Sequence, residues 1–391
     1  VDVGAGVVRT ITTTYETTLE SELGDEQQTK SSRLARFFKR NNAKTQRDKA
    51  CRFAYEFDEM VIGNATKSST TAVMLIHPIG VGIGKWYYDR LLASLQNHDD
   101  DVDHRLVFLS PDLLGSATAS GPMDQSGHPI IDIPLLNITD WNDQVTQLMA
   151  EYEIESEKEG HAISSWSVVA NGGCSPIALK VALSSAQGVA PFKAALTNVI
   201  ISSPPRLPFF LECTDPEKVR KSYRTLSGIT GKLFWWYSLR KEGKFIQRFS
   251  EKNLVGDADC LGEKWTPNCL KAARCHDGLS RYSTFAFLAG TLQDGCVESL
   301  NALKRSPVMI NIIRGSDKRR NRAKSWFWTR KKKKELGKSD RGSNIKEDTN
   351  DTCSVISTED TIAQYVNRNG NGGKELFIGG RISLAWEDSR G

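Results

Sequence analysis

The chain has 391 residues, with 52 Lys or Arg against 47 Asp or Glu, and 39% of its residues are hydrophobic. This length exceeds the size at which a single core usually stops growing, so we expect one main domain with additions. The eight cysteines form no Cys-x-x-Cys pair, no histidine stands at metal-ligand spacing and no full dinucleotide-binding glycine motif is present, so we predict no metal and no cofactor.

The N-terminal part is rich in polar residues. Residues 1–30 contain many Thr, Glu and Gln without apolar periodicity, which predicts disorder. Residues 31–52 are basic with a short apolar face, which fits either a basic amphipathic contact or a helix packed on the core.

Strands and helices alternate from residue 71 onwards. Residues 71–77 form a short, apolar, β-branched run that is typical of a buried parallel strand, and a glycine-containing loop and a helix over about 85–96 follow it. A second helix begins at Thr139 or Asp140 and carries Trp141 on its apolar face. Further strands are predicted over 106–109, 166–170, 197–202, 308–313 and 375–378. This order predicts an α/β fold with a doubly wound, mostly parallel sheet.

Residues 166–179 have the pattern of a nucleophile elbow. In that motif, Gly-x-Ser-x-Gly holds a serine on a strained bend between a strand and a helix. The five motif positions fall on residues 170–174, and the serine's position is Gly172. Because glycine has no side chain to attack a substrate, the pattern predicts an α/β-hydrolase scaffold that has lost its usual chemistry.

Several short motifs make the likeness more specific. His-Pro-Ile-Gly-Val-Gly at 77–82 and Ser-Pro-Asp-Leu-Leu-Gly at 110–115, with Asp140-Trp141 and Ser-Pro-Pro at 203–205, resemble α/β-hydrolase-fold proteins of cyanobacteria and chloroplasts. The resemblance covers about residues 70–315 and 360–388. Relatives of this kind also lack the elbow serine, so the resemblance implies that the absence is a family trait. It also implies a chloroplast location, either soluble or peripheral on a membrane such as the thylakoid.

The other two triad positions can be placed on the same frame. The turn after the strand at 308–313 resembles the one that carries the triad acid, which would be Asp317. After the last strand, a Gly-Gly-Arg step resembles the Gly-Gly-His step of the general base, and the residue there is Arg381. Arginine stays protonated at physiological pH and cannot accept the nucleophile's proton, so a standard serine-hydrolase mechanism is not expected.

Cys174 is the alternative nucleophile. A thiol at a helix N-terminus would have a lowered pKa, as a catalytic cysteine needs, although Cys174 also fits a small buried packing residue. Ile79 and Gly173 match the positions of the two backbone donors of an oxyanion hole. For His77, we favour a strand-end histidine that hydrogen-bonds nearby backbone.

A helical lid is predicted over 206–295, between two core strands. Aromatic runs at 233–237 and 285–288 fit either a cap over a pocket or the lid's own core. A small apolar ligand under this lid is the expected occupant of an emptied pocket.

Residues 318–334 are the second distinctive feature. They contain ten Lys or Arg, no acid and a Trp-Phe-Trp centre, so the remaining chain has 42 basic against 47 acidic residues. Such a segment fits an anionic membrane surface or an acidic protein partner. Nucleic acid is the less favoured partner, and a solvated loop without function is the remaining alternative. The predicted contact residues are Arg319, Arg320, Trp326, Trp328, Lys331 and Lys332.

These observations predict a division of the chain and a function. The divisions are a flexible basic extension (1–50), a core in two parts (51–205 and 296–317), the lid (206–295), a basic disordered insertion (318–358) and a C-terminal core helix and strand (359–391). The predicted function is that of a non-catalytic binding or scaffold protein with a degenerate triad. The alternative is an ester or thioester hydrolase that uses Cys174.

Overall fold

The computed structural model describes a large part of the chain. The described residues are 8–19, 49–63, 70–96, 104–117, 119, 135–204, 209, 213–239, 241–253, 261–275, 280–293, 297–303, 306–315 and 375–378.

One mixed sheet runs through the described residues. Its eight strands are β1 (Val8–Leu19), β2 (Lys49–Ile62), β3 (Thr70–Ile76), β4 (Arg105–Pro111), β5 (Ile163–Asn171), β6 (Ala195–Ser202), β7 (Met309–Gly315) and β8 (Glu375–Ile378). They lie in the order β1-β2-β4-β3-β5-β6-β7-β8. β2 is antiparallel to both of its neighbours, and the pairs from β4 to β8 are parallel. The predicted doubly wound, mostly parallel sheet is confirmed.

Helices cover the sheet and take up most of the described residues between β6 and β7. The helices are α1 (Asp89–Gln96), α2 (Ile138–Lys158), α3 (Ser175–Ala186), α4 (Pro216–Ser227), α5 (Ile229–Leu239), α6 (Lys244–Asn253), α7 (Trp265–Arg274), α8 (Arg281–Ala289) and α9 (Val297–Leu303). The predicted helical lid therefore corresponds to α4–α8. At the start of α2, Asn137 accepts from the backbone of Thr139 and Asp140, and Asp140 accepts from the backbone of Asn137, which forms a capping box.

Alternate side chains along β3 pack into two separate hydrophobic clusters. Met74 and Ile76 pack in one cluster with Trp141 and Trp166, and Leu75 packs in the other. Since successive side chains of a strand point to opposite faces, the sheet is buried on both sides. This burial explains why β3 reads as a nearly continuous apolar run.

The prediction that residues 1–30 are disordered is wrong for 8–19. These residues form β1, which pairs with β2 along its whole length. Tyr15 of β1 is buried opposite Phe53, and Ile11 packs on the core opposite Phe57. Threonine fills most other positions, and its β-branched side chain favours a strand although it contributes little apolar signal. Of the predicted basic segment at 31–52, residues 31–48 lie outside the described residues. Residues 49–52 belong to β2.

Candidate functional site

The turn after β5 has the geometry expected of an elbow. Gly172 has a φ of +56°, in the left-handed region that favours glycine. A short 3-10 turn, Gly172–Cys174, leads directly into α3, whose first turn contains Pro176. The Ser175 hydroxyl donates to the Gly172 carbonyl at 2.6 Å and closes the bend. The predicted strained bend at Gly172 is therefore observed.

The space beside Gly172 would accept a side chain. A Cβ atom at this position would lie 3.9 Å from the carbonyl oxygen of Ser203 and would meet no other nearby atom. A Cβ atom would therefore have room, so close packing does not account for the glycine, whereas the positive φ favours it. What the turn lacks is the reactive hydroxyl itself.

Gly173 lies under a ring from the lid. A Cβ atom at Gly173 would approach Cε2 of Phe287 to 2.6 Å, well inside van der Waals contact. Phe287 is on α8. The same helix carries Ser283, whose hydroxyl accepts a hydrogen bond from the Ser116 hydroxyl at 2.8 Å. The lid helix is therefore seated directly on the elbow, next to one of the two predicted oxyanion-hole positions.

Cys174 is a core residue. Its side chain is fully buried, and burial raises the pKa of its thiol to about 12, which outweighs a hydrogen bond from the Ile79 backbone that lowers the pKa. Cys174 thus has the character of the small buried packing residue that the sequence also allowed, because loss of solvent destabilises its thiolate more than nearby dipoles stabilise it. The Ile79 N–H, a predicted oxyanion donor, instead faces this sulfur.

His77 holds two loops together. Its Nδ1–H donates to the Pro78 carbonyl at 2.9 Å, and its Nε2 accepts from the backbone N–H of Leu113 at 3.0 Å. The ring is fully buried, and burial lowers the pKa of His77 although the nearby Asp112 carboxylate opposes this shift. Both ring nitrogens are used by backbone, so His77 is a neutral structural residue, as the sequence led us to favour.

Ser203 was not predicted as a site residue. It follows β6 with a φ of +54°, an unusual conformation for a non-glycine residue. Its hydroxyl is buried and has no hydrogen-bond partner within the described part of the chain, and its carbonyl faces the space beside Gly172. In the sequence, its signals are its place at the end of a strand and the Ser-Pro-Pro motif at 203–205.

The remaining predicted site residues lie outside the described residues. These are Asp317 and Arg381 of the triad frame and all of 318–334, with Arg319, Arg320, Trp326, Trp328, Lys331 and Lys332. β7 ends at Gly315 and β8 at Ile378, so each triad position follows a described strand. Their roles stay predictions.

A cleft of about 810 Å³ lies away from the elbow, on the lid. It is bordered by α6, by α7 and by the turn before each of them, with Glu242, Glu263, Trp265, Lys271 and Arg274 among its lining residues. Over the described ranges, no three His, Cys, Asp or Glu side chains are grouped so as to hold a metal ion. Among the described helices, none has the length and apolar character needed to cross a membrane.

The sheet order, the antiparallel second strand, the bend after β5 and the helical insertion after β6 occur together in one known architecture. The chain has the α/β-hydrolase fold. This agrees with the resemblance seen in the sequence, whereas the cyanobacterial and chloroplast subfamily stays a prediction.

Comparisons with known proteins give structural matches without sequence relatives. No protein-family model and no curated protein matches the chain. Cfl2 from Burkholderia cenocepacia is 12% identical with a TM-score of 0.47, over 86% of this chain and 88% of Cfl2. An enol-lactonase from Burkholderia xenovorans is 9% identical with a TM-score of 0.43, over 84% and 90% of the two chains. The peroxisomal α/β-hydrolase Lpx1 from Saccharomyces cerevisiae is 12% identical with a TM-score of 0.47, over 79% and 75%. At such identities and scores, the activity of these proteins does not transfer to this chain.

Proposed function

We propose that this protein is a non-catalytic member of its fold, a binding or scaffold module with a degenerate triad. The observation that carries the proposal is the elbow itself, where the bend keeps a φ of +56° and the residue in the nucleophile's place is Gly172. The backbone geometry that serves a nucleophile is present, and the nucleophile is absent.

Two further features support the loss of hydrolase chemistry. The neighbouring thiol of Cys174 is buried with a raised pKa, so it forms little thiolate at neutral pH. In the sequence, the position of the general base is taken by Arg381, which cannot accept a proton. Neither residue can substitute for the serine and histidine of a triad.

As a binding module, the protein would use the space beside Gly172 for a small apolar ligand under the lid. This space is bordered by the Ser203 carbonyl and lies one residue from the Phe287 contact. The buried Ser203 hydroxyl, which has no partner among the described residues, would provide a polar anchor.

Ester hydrolysis tests the proposal directly. We expect the wild-type protein to hydrolyse short p-nitrophenyl esters near the background rate, and Gly172→Ser to restore little, because a serine without a base stays a weak nucleophile. Gly172→Ala is the matched control, since it introduces the same backbone strain, about 1 kcal/mol, without the hydroxyl.

Two results would contradict this. Efficient hydrolysis by the wild type that Cys174→Ser abolishes would make the protein a cysteine enzyme. Hydrolysis or fluorophosphonate labelling that appears in Gly172→Ser and not in Gly172→Ala would show that a working general base exists.

We further propose that the protein is peripheral on an anionic membrane, such as a chloroplast membrane. The support is the segment 318–334, in which ten basic side chains surround Trp326, Phe327 and Trp328. Basic side chains are attracted to anionic headgroups, and aromatic rings favour headgroup depth. An acidic protein partner is the competing proposal for the same segment.

A further inference from the structure

Helix α5 exposes a continuous apolar stripe. Ile229, Leu233, Trp236 and Tyr237 are 78%, 60%, 61% and 44% exposed. Their spacing of four, three and one residues places them on one side of a helix, because 3.6 residues make a turn. Scattered exposed apolar residues are normal, but a stripe of two aliphatic and two aromatic side chains on one helix face indicates a contact surface.

The opposite side of α5 is firmly packed. Trp235 is buried and meets the buried ring of Phe285 edge-on, with centroids 5.9 Å apart. Gly231 is buried, and a Cβ there would collide with the Leu226 carbonyl at 1.4 Å, so α5 closely approaches the end of α4. The stripe is therefore presented by a helix whose orientation is fixed.

The apolar surface continues onto α6. Phe245 lies 5.7 Å from Tyr237 and 6.2 Å from Phe249, measured between ring centroids, and Phe249 is itself 47% exposed. We call Ile229, Leu233, Trp236, Tyr237 and Phe249 the lid patch.

The three helices that carry and flank the lid patch are strongly basic. Between Pro216 and Asn253, the sequence has ten Lys or Arg and three Asp or Glu. Exposed basic side chains occur on each helix: Lys218, Arg220, Lys221 and Arg224 on α4, Lys232 on α5, and Lys244 and Arg248 on α6. Lys232 borders the stripe, because it lies three residues after Ile229 and four residues before Trp236 on the same helix.

We infer that the lid patch is a membrane-docking surface that binds an anionic lipid leaflet. Aliphatic and aromatic side chains would enter the headgroup region while basic side chains on the same helices contact lipid phosphates. Nucleic acid is a poorer occupant, because exposed Ile and Leu side chains gain nothing from a phosphate backbone. With eleven residues, α5 is suited to lie on a bilayer and is too short to cross one. This inference rests on the proposed membrane association and assigns to it a surface formed by described residues of α5 and α6.

Vesicle sedimentation of the full chain tests the inference. The vesicles are phosphatidylcholine alone or an equimolar mixture with phosphatidylglycerol. We expect Leu233→Ser with Trp236→Ser to reduce binding to the anionic vesicles at least about tenfold, since both side chains supply buried apolar area. Lys244→Glu with Arg248→Glu should reduce it by a similar factor or more, and only at low salt. All four side chains are exposed, so the fold should be retained, as circular dichroism will show.

Ile154→Ser with Val189→Ser is the matched control, because these exposed apolar residues lie outside the lid. Unchanged binding of the control and loss in the Leu233/Trp236 variant support the inference. Equal losses in both, or no loss in the Leu233/Trp236 variant, overturn it. If that variant instead changes the size of the protein on gel filtration without changing vesicle binding, the lid patch is a self-association surface and the inference fails.

A chain without 318–334 separates the two proposals. Loss of binding on this deletion, with none in the Leu233/Trp236 variant, overturns the lid patch and leaves the insertion as the anchor. Loss of binding in the Leu233/Trp236 variant, with none on the deletion, supports the lid patch and rejects 318–334 as the anchor. If the wild-type chain binds neither vesicle type, both membrane proposals are rejected.

Discussion

The three residues of the turn after β5 are constrained by three different contacts. The backbone at Gly172 is left-handed, which favours glycine, Gly173 lies under the Phe287 ring, and Cys174 fills a site without solvent. None of these constraints involves a reacting group. The backbone conformation favours glycine at 172 and packing restricts residues 173 and 174, which agrees with a scaffold in which the elbow has kept its shape.

His77 should make the stability of the protein depend on pH. Burial lowers the pKa of His77 in the folded state, so between that value and the ordinary histidine pKa of about 6.5 the unfolded chain binds a proton that the folded protein does not. The stabilising contribution is therefore complete above about pH 6.5 and is lost as the pH falls, by at most about 1.4 kcal/mol per pH unit for one proton. Asp89 acts in the opposite direction, because partial loss of solvent around its carboxylate and the nearby Asp58 carboxylate raise its pKa to about 6.

His77→Gln isolates this effect, because its amide can accept from Leu113 but does not titrate. Urea unfolding of both proteins between pH 5 and 8 should show a smaller acid-side loss in the variant. Parallel profiles would mean that His77 does not carry the pH dependence.

At the scale of elements, one carboxylate joins a helix to two strands. Glu153 of α2 accepts from the Trp166 indole N–H at 2.8 Å and from the backbone N–H groups of Lys193 and Ala194 at 2.7 and 2.9 Å. Trp166 is in β5, and Lys193 and Ala194 immediately precede β6. The side chain thus fixes α2 against the part of the sheet that leads into the elbow.

Removing this carboxylate should destabilise the fold. Hydrogen bonds to a charged group contribute more than neutral ones, and the buried indole N–H of Trp166 would lose its partner. We expect Glu153→Ala to lower the free energy of unfolding by about 2 kcal/mol, measured by urea denaturation. Glu157→Ala, one turn along the same helix at an exposed position, should change it by less than about 0.5 kcal/mol. Similar losses in the two variants would show that Glu153 is not a tie between the elements.

For the whole molecule, the distribution of charge matters more than the total. The net charge is +5, but the ten basic residues of 318–334 leave a chain with more acidic than basic residues elsewhere. The basic helices of the lid are a second local excess within that remainder. Long-range attraction to an anionic surface would therefore depend on which of these two regions faces it.

Deleting 318–334 should weaken binding to anionic vesicles at least about tenfold at low salt, since each basic side chain near the leaflet contributes about 1 kcal/mol. Binding of the wild type should also fall as salt rises, because charges beyond about 8 Å are screened at physiological ionic strength.

Changing Trp326, Phe327 and Trp328 to Ala should weaken binding even at low salt, because the rings contribute apolar area rather than charge. Equal binding to neutral vesicles would contradict this prediction, and tight salt-sensitive binding to RNA or DNA without vesicle binding would identify a nucleic-acid contact instead.

The sequence by itself determined the parallel part of the sheet and the bend at Gly172. Strands such as β3 are buried on both faces, so they appear as short apolar runs, and a left-handed backbone between a strand and a helix favours glycine. β1 was missed because an antiparallel edge strand rich in threonine has little apolar signal, and its register depends on β2, at least 30 residues later in the chain.

The tertiary structure alone decided which adjacent aromatics and thiols face solvent. Trp235 and Trp236 are neighbours in the sequence, yet one is buried against Phe285 and the other is exposed on the lid patch. The pKa of Cys174 likewise depends on the lid and sheet that exclude water around it, and not on its position at a helix N-terminus. Burial is a property of all elements that meet at a point, so no local pattern can specify it.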